Sequence, residues 1–374
     1  MHAVCVRWGA MRRLLFRSLF VLGWCAVAGM AVAQTLPNPA PPPASAPSVV
    51  ANPQTPEEFF ARARQLSDLE AGGIPFHLKA AISLDKNTGL RETGSYEEWW
   101  VTPHMWRKEV TLGTFRYLAT ADSRRSTMYA SQVPAPWQMS VILRSVPFRV
   151  SARLTERQRW RREKTKVNHI PVISLTGRPC KAVTSPVKTP TNCGDQYIFT
   201  NEGVVRVKKL NGVSTVFNEF RAFGKQLIPT SMETADSVGP IASITVDEIE
   251  SFNPDAHRLA GLSQIPPGLQ LVKGIEPGSF HDGPGMKPPK LLHAVEASLP
   301  ADMRIRRPFH ATAVVATIVD LDGRPRTIHV IQSSGTALDD AAAASVQQYR
   351  FTPAQSKGIP VPMEIDVVVQ FNLR

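Results

Sequence analysis

Cys180 and Cys193 are the residues of this chain whose type and spacing most directly imply covalent chemistry. The chain has four cysteines, and Cys5 and Cys25 lie in the N-terminal leader, so these two remain as an even pair. In an exported protein such a pair reads as a disulfide. It would close a loop rich in Pro and Thr and stabilise the fold by roughly 3 kcal/mol. The competing reading is a redox pair, but the spacing is not C-x-x-C and no metal-type histidines flank it. The nine histidines are scattered, with no H-E-x-x-H and no close pair, so no metal site is expected. Glu97 and Glu98 would point to opposite faces of a strand and could not converge on one atom. No G-x-S-x-G, P-loop or dinucleotide fingerprint occurs, and Gly283-Pro284-Gly285 lacks the third glycine. No catalytic residue and no cofactor is expected, and the chain reads as a non-enzymatic binding protein.

A basic run spans residues 153–166, with Arg153, Arg157, Arg159, Arg161, Arg162, Lys164 and Lys166 around Trp160. On a strand, Arg157, Arg159 and Arg161 would share one face and could meet an anionic lipid surface; the bland reading is a solvated face. The net charge is +12; without the four arginines of residues 1–33 it is 39 cations against 31 acids, or +8. A basic chain invites nucleic acid, but the leader argues for export, so no nucleic-acid partner is expected.

That leader has a basic region (Arg12, Arg13, Arg17), an apolar region from Ser18 to Met30 and an A-x-A site, Ala31-Val32-Ala33. Cleavage between Ala33 and Gln34 would give a periplasmic protein. The uncharged stretch from Ser18 to Ala33 has 16 residues, and a spanning helix wants about 20. The alternative is a single N-terminal anchor in the inner membrane. Met1 and Met11 are both candidate starts.

The elements that must position these residues fall into segments. Residues 1–33 read as a signal peptide and 34–56 as a Pro-rich tether; its run from Pro37 to Pro56 has a reach on the order of 60 Å. Residues 57–252 begin with a helix at Pro56-Glu57-Glu58, whose apolar stripe is Phe59, Phe60, Ala63, Leu66 and Leu69, stopped by Gly72-Gly73. Short strands then follow one another, with a less regular, helix-like stretch over 134–146. Residues 253–289 are again rich in Pro and Gly. In 290–374, Asp322-Gly323 marks a hairpin between Ala313–Val319 and Thr327–Gln332. A helix capped by Thr336 is expected next. A single alternating strand from Val361 to Leu373 closes the chain, with Glu364, Asp366, Val368, Gln370 and Asn372 on its wet face. The fold class is α+β: an N-terminal curved antiparallel sheet or open barrel with helices, then a small C-terminal sheet with one covering helix.

Two resemblances follow from particular residues. Asp322-Gly323, Ser333-Ser334-Gly335, Leu338-Asp339, Ala342, Tyr349-Arg350-Phe351, Pro353-Ala354, Gly358-Ile359-Pro360-Val361 and Phe371 together resemble the C-terminal domain of TonB-family energy transducers. Where that family usually has Gly before its first strand, this chain has His310-Ala311. The resemblance implies a domain that binds an extended segment of an outer-membrane receptor by adding a strand to its sheet edge. The strand Val361–Leu373 is the edge expected to do so. The family's membrane helix carries a Ser with a His four residues later; here Ser18 is followed by Leu22. The chain therefore looks like a TonB-type module on a secreted protein, with a protein partner in the envelope or outer membrane. More faintly, Gly94 to Trp100, Pro103 and Trp106 to Glu109 are similar to the early strands of LolA/LolB-type lipoprotein carriers. That resemblance implies the alternative function, a periplasmic carrier whose barrel holds lipid acyl chains against Trp99, Trp100, Trp106 and Trp137.

Overall fold

The computed structural model describes residues 5–7, 52–85, 88, 92–122, 125–132, 135–146, 150, 160–177, 195–255, 259, 261–272, 285–299 and 309–373. Cys5–Arg7 form a short strand, β1. Helix α1 (Pro56–Ser67) starts at a capping box: Thr55 Oγ1 accepts the Glu58 N–H at 3.2 Å, and Glu58 Oε2 accepts that of Thr55 at 3.1 Å. Its apolar face, Phe59, Phe60, Ala63 and Leu66, is buried. A 3-10 turn ends at Gly73, whose φ of 68° is left-handed, a conformation that glycine adopts without strain.

A 13-stranded antiparallel sheet follows, built from two meanders. The first is β2 (Phe76–Leu84), β3 (Thr93–Thr102), β4 (Met105–Leu112), β5 (Phe115–Ala121) and β6 (Ser126–Ala130). Helix α2 (Gln138–Ser145) separates it from the second. The second is β7 (Trp160–Val167), β8 (Ile170–Gly177), β9 (Gln196–Phe199), β10 (Val205–Leu210), β11 (Val213–Phe223), β12 (Gln226–Ala235) and β13 (Pro240–Ser251). The meanders join where β13 pairs with β2, from Ala242↔Leu84 to Ser251↔Phe76. The sheet is curved, and α1 packs Phe60 edge-on against Trp160, Tyr197 and Phe199.

The described part of the basic run, residues 160–166, lies on β7, which turns into β8 at Asn168-His169, whose φ values of 49° and 67° are left-handed; mirror-image turns of this kind suit the twist of a hairpin. Strand β12 runs through Pro229, a residue that removes a ladder donor. Pro229 lies opposite Phe220, where the ladder skips Glu219, whose φ is 48°.

The stretch after Asn253 is held at both ends. Arg107 Nη1 donates to the carbonyls of Leu262 (3.1 Å) and Gln264 (2.5 Å), and β14 (Gln270–Leu271) pairs with β6. The C-terminal unit contains β15 (Met286–Lys287), β16 (Leu291–His293), β17 (Phe309–Val319), β18 (Pro325–Gln332), α3 (Thr336–Gln347), β19 (Arg350–Phe351), β20 (Ala354–Ser356), β21 (Ile359–Val361) and β22 (Met363–Leu373). Its main sheet runs β1-β22-β17-β18, and α3 packs on β17 and β18. The closing strand is broken at Pro362: β21 turns back onto β20, and only β22 joins the main sheet. The cap of α3 is Gly335 rather than Thr336, and the side chain that satisfies the turn is Asp339. Asp339 Oδ1 accepts the Ser334 N–H at 2.8 Å, and Ser333 Oγ donates to Asp339 Oδ2.

The two sheets meet at a seam. Arg326 Nε lies 3.0 Å from Asp236 Oδ2, and both side chains are 0% exposed. The Thr327 N–H donates to the same oxygen at 3.1 Å, and the Arg326 guanidinium sits 5.0 Å from the Trp137 ring centroid. Gln347 Nε2 donates to the Ser237 carbonyl at 2.7 Å.

Candidate functional site

The edge of the C-terminal sheet is built by β22. On one side it pairs with β17 over its whole length, from Met363↔Val319 to Leu373↔Phe309. On the other, among the described residues, it pairs only with β1: Asp366↔Arg7, Val367↔Val6 and Val368↔Cys5. Period-two patterning sets its faces. Met363, Ile365, Val367, Val369 and Phe371 are buried, whereas Glu364, Asp366, Val368 and Asn372 are half-buried and Gln370 is exposed. Asn372 Oδ1 meets His310 Nδ1 at 2.8 Å across the β17 pair. The far edge of the sheet is different: at β18 a backbone donor, Thr327 N–H, is taken up by Asp236. An edge with strand-pairing capacity beyond three residues is what an extended peptide needs.

The turn that holds β17 and β18 together is tightly made. Asp320 Oδ1 accepts the N–H groups of Asp322 (3.0 Å) and Arg324 (2.8 Å). Burial pushes the Asp320 carboxyl up, opposed by those two hydrogen bonds. Gly323 packs against β19, with the Phe351 N–H donating to its carbonyl at 2.9 Å.

Burial also raises the Asp339 carboxyl to about 6, against the lowering effect of its bonds to Ser333 and Ser334. A carboxyl raised in the fold binds more protons there than in the unfolded chain, so its contribution is present below the ordinary value and lost as pH rises to about 6. We therefore expect urea stability of the native protein to carry a falling component between pH 4 and 6, worth roughly 3 kcal/mol at most. Asp339→Asn removes that component; an identical slope in the variant would reject the assignment.

The barrel holds a second polar group that sequence reading did not assemble. Glu98, 0% exposed, takes an ion pair from Lys108 Nζ at 2.8 Å and a hydrogen bond from Tyr96 Oη at 2.7 Å. Its neighbour Glu97 faces the other way, 2.7 Å from His77 Nε2, as strand alternation requires. The signal available in the sequence was Tyr96, Glu98 and Trp100 at period two, an inward-facing row with one acid in it.

The other sequence candidates fall as follows. Arg161 lies on β7 and is paired to Glu163 at 2.6 Å, with Arg162 on the opposite face above the Phe59 ring. Arg157, Arg159, Cys180, Cys193, Ala33 and Gln34 lie outside the described residues. Trp100 and Trp137 are core, and Trp99 stacks on His77 at 4.8 Å. Among the described residues no cluster of three metal-ligating side chains occurs, and no helix is long and apolar enough to cross a membrane. An open cavity of about 600 Å³ lies where β2, β3, β12 and β13 end, lined in part by Ser83, Asp85, Glu92 and Glu233.

A hairpin turned at Asp322-Gly323, one helix and an alternating last strand are the features on which comparison decides. Residues 302–373 match the family model of the Gram-negative bacterial TonB protein C-terminal. The main TonB-like sheet, apart from β1, thus lies inside the matched segment, as do Asp320, Asp339 and every β22 residue singled out above. No curated protein matches the chain in sequence. Two solved structures are similar over 55% of this chain and 98% of their own. One is a DUF1329 family protein from Desulfovibrio piger, at 8% identity and a TM-score of 0.38. The other is a LolA superfamily protein from Nitrosomonas europaea, at 11% identity and a TM-score of 0.34.

Proposed function

We propose that the chain is a non-enzymatic protein of the Gram-negative envelope that binds an extended segment of a partner protein along β22 of its TonB-like sheet. The observation that carries this reading is the pairing of β1. A three-residue strand from the leader, the segment that cleavage after Ala33 would remove, adds antiparallel to β22 at Asp366–Val368, on the side away from β17, so this edge accepts an added strand and would be open to a partner once the leader is gone. Backbone hydrogen bonds supply the affinity of such an addition, and alternate side chains supply the selectivity. Glu364, Asp366, Val368, Gln370 and Asn372 are the wet-face residues that would contact the incoming strand's side chains. The partner class we favour is an outer-membrane receptor, which places the protein in the periplasm.

A photo-crosslinking residue placed at Gln370, which is exposed on β22, tests this in intact cells. The expected result is one discrete adduct containing an outer-membrane protein. A control site at Glu233, on the barrel wall, should give none. Equal labelling from both positions, or none from Gln370, would remove the β22 edge from consideration.

A further inference from the structure

The large sheet has two ends, and the chain treats them differently. At one end β14 pairs with β6, Gln270 opposite Ala130 and Leu271 opposite Tyr129. At the other, β7 closes the strand order and, among the described residues, pairs with β8 alone. The edge so presented runs from Trp160 to Val167, long enough to hold an extended segment.

The turn decides which residues line that edge. Two residues, Asn168 and His169, separate Val167 from its partner Ile170. Residues flanking a two-residue turn exchange their N–H···O bonds, and bonded and non-bonded pairs alternate from there along the ladder. Val167, Thr165, Glu163 and Arg161 therefore direct their backbone groups at β8. Arg162, Lys164 and Lys166 direct theirs outward.

The same three residues carry a row of cations, placed on one face of β7 by the period of the strand. Across the hairpin they stand opposite Leu175, Ile173 and Pro171, so β8 gives them no counter-ion. Glu163 belongs to the other face and holds Arg161 at 2.6 Å. Lys164 and Lys166 are exposed. Arg162 leans on α1, with its guanidinium 5.8 Å from the Phe59 ring centroid. Its Nε is buried with no hydrogen-bond acceptor among the described residues, and an unmet buried donor costs free energy.

We propose that β7 is a docking edge for an acidic extended segment of a protein, one with Asp or Glu at every second residue. Laid beside β7, such a strand meets the outward N–H and C=O groups of Arg162, Lys164 and Lys166 and sets a carboxylate by each cation. Facing residues of neighbouring strands stand about 4.5–5.5 Å apart, within reach of an ion pair. A carboxylate at Arg162 also brings the acceptor that the fold does not supply. Lysines on a sheet edge deter pairing with a like edge, and the same charges select an acidic strand. An anionic lipid surface answers the charges but not the ladder, so the outward backbone groups favour a polypeptide. This edge belongs to the barrel sheet and stands independently of binding at β22.

Fluorescence polarisation with the purified native protein tests the edge. The probe is a labelled peptide about as long as β7 in which Glu and Thr alternate. Its isomer has the same residues with the glutamates gathered in one block. We expect the alternating peptide to bind about tenfold more tightly than the isomer, and to weaken as added salt screens the exposed charges. Lys164→Gln with Lys166→Gln should lose about tenfold in affinity, for two cross-strand charge pairs removed. Lys164→Pro should lose more than Lys164→Gln, because proline alone also removes an outward N–H. The two-peptide comparison needs no variant, so it decides the matter even where the proline variant misfolds. Equal affinity for the two isomers would reduce the edge to a patch of charge and overturn the proposal. So would capture of phosphatidylglycerol vesicles without the peptide, or no peptide binding at all.

Discussion

Glu98→Ala is expected to destabilise the protein by about 3–5 kcal/mol, the cost of breaking a buried ion pair from one side. The carboxylate is 0% exposed and holds both Lys108 Nζ and Tyr96 Oη within 2.8 Å. Its loss leaves an ammonium with 12% exposure, 5.3 Å from the Trp106 ring, without its carboxylate. A cation–π contact returns only about 1–2 kcal/mol. The double replacement Glu98→Leu with Lys108→Met removes both charges together and should recover most of the loss, because the desolvation cost of the pair disappears with it. Denaturant midpoints of the two singles and the double form a cycle. If Glu98→Ala costs under about 1 kcal/mol, the size of an exposed pair, the carboxylate is not buried as described.

Gly323→Ala should be nearly as damaging, at roughly 2–4 kcal/mol, through overpacking and backbone strain together. Gly323 has φ of 75°, and a Cβ there would stand 1.8 Å from the Phe351 carbonyl oxygen. That oxygen belongs to β19 and cannot swing aside as the end of a side chain would. Gly335 is the matched control: its φ is 110°, but a Cβ meets nothing within 4 Å. Gly335→Ala should therefore cost only the strain component, on the order of 1 kcal/mol. Thermal unfolding of both variants decides the matter, and equal losses would mean that the Phe351 contact carries no energy. The same argument explains why the turn reads so clearly in the sequence. Asp320 accepts the N–H groups of Asp322 and Arg324, and only glycine leaves room for β19 to close over them.

Local rules were legible wherever one short segment settles its own free energy. Thr55-Pro56-Glu57-Glu58 starts α1 because the capping box lies within four residues. The alternation of β22 survives intact because one of its faces is buried from Met363 to Phe371. Less was legible where a segment's state depends on its neighbours. Over Trp160–Val167 the charges are mostly turned to solvent, as a basic stretch suggests, while burial of Trp160 against Phe60 and Tyr197 fixes the segment as β7. Thr336 looks like the cap of α3, but Gly335 holds that position, and Asp339 reaches back from inside the helix to tie down Ser333 and Ser334 ahead of it.

The sequence by itself determined the α+β class, most strands of the barrel, and the C-terminal pattern that matches TonB proteins over residues 302–373. These depend on periodicity, turn residues and caps, which act over a few residues and are written into any window of the chain. Only the tertiary structure decided that β2 and β13 join the two meanders into one sheet, that Glu98 meets Lys108, and that Asp236 grips Arg326. The Asp236–Arg326 contact joins residues 90 positions apart. Its partners are chosen by where two sheets come to rest, and the burial that makes the pair matter does not exist until they do.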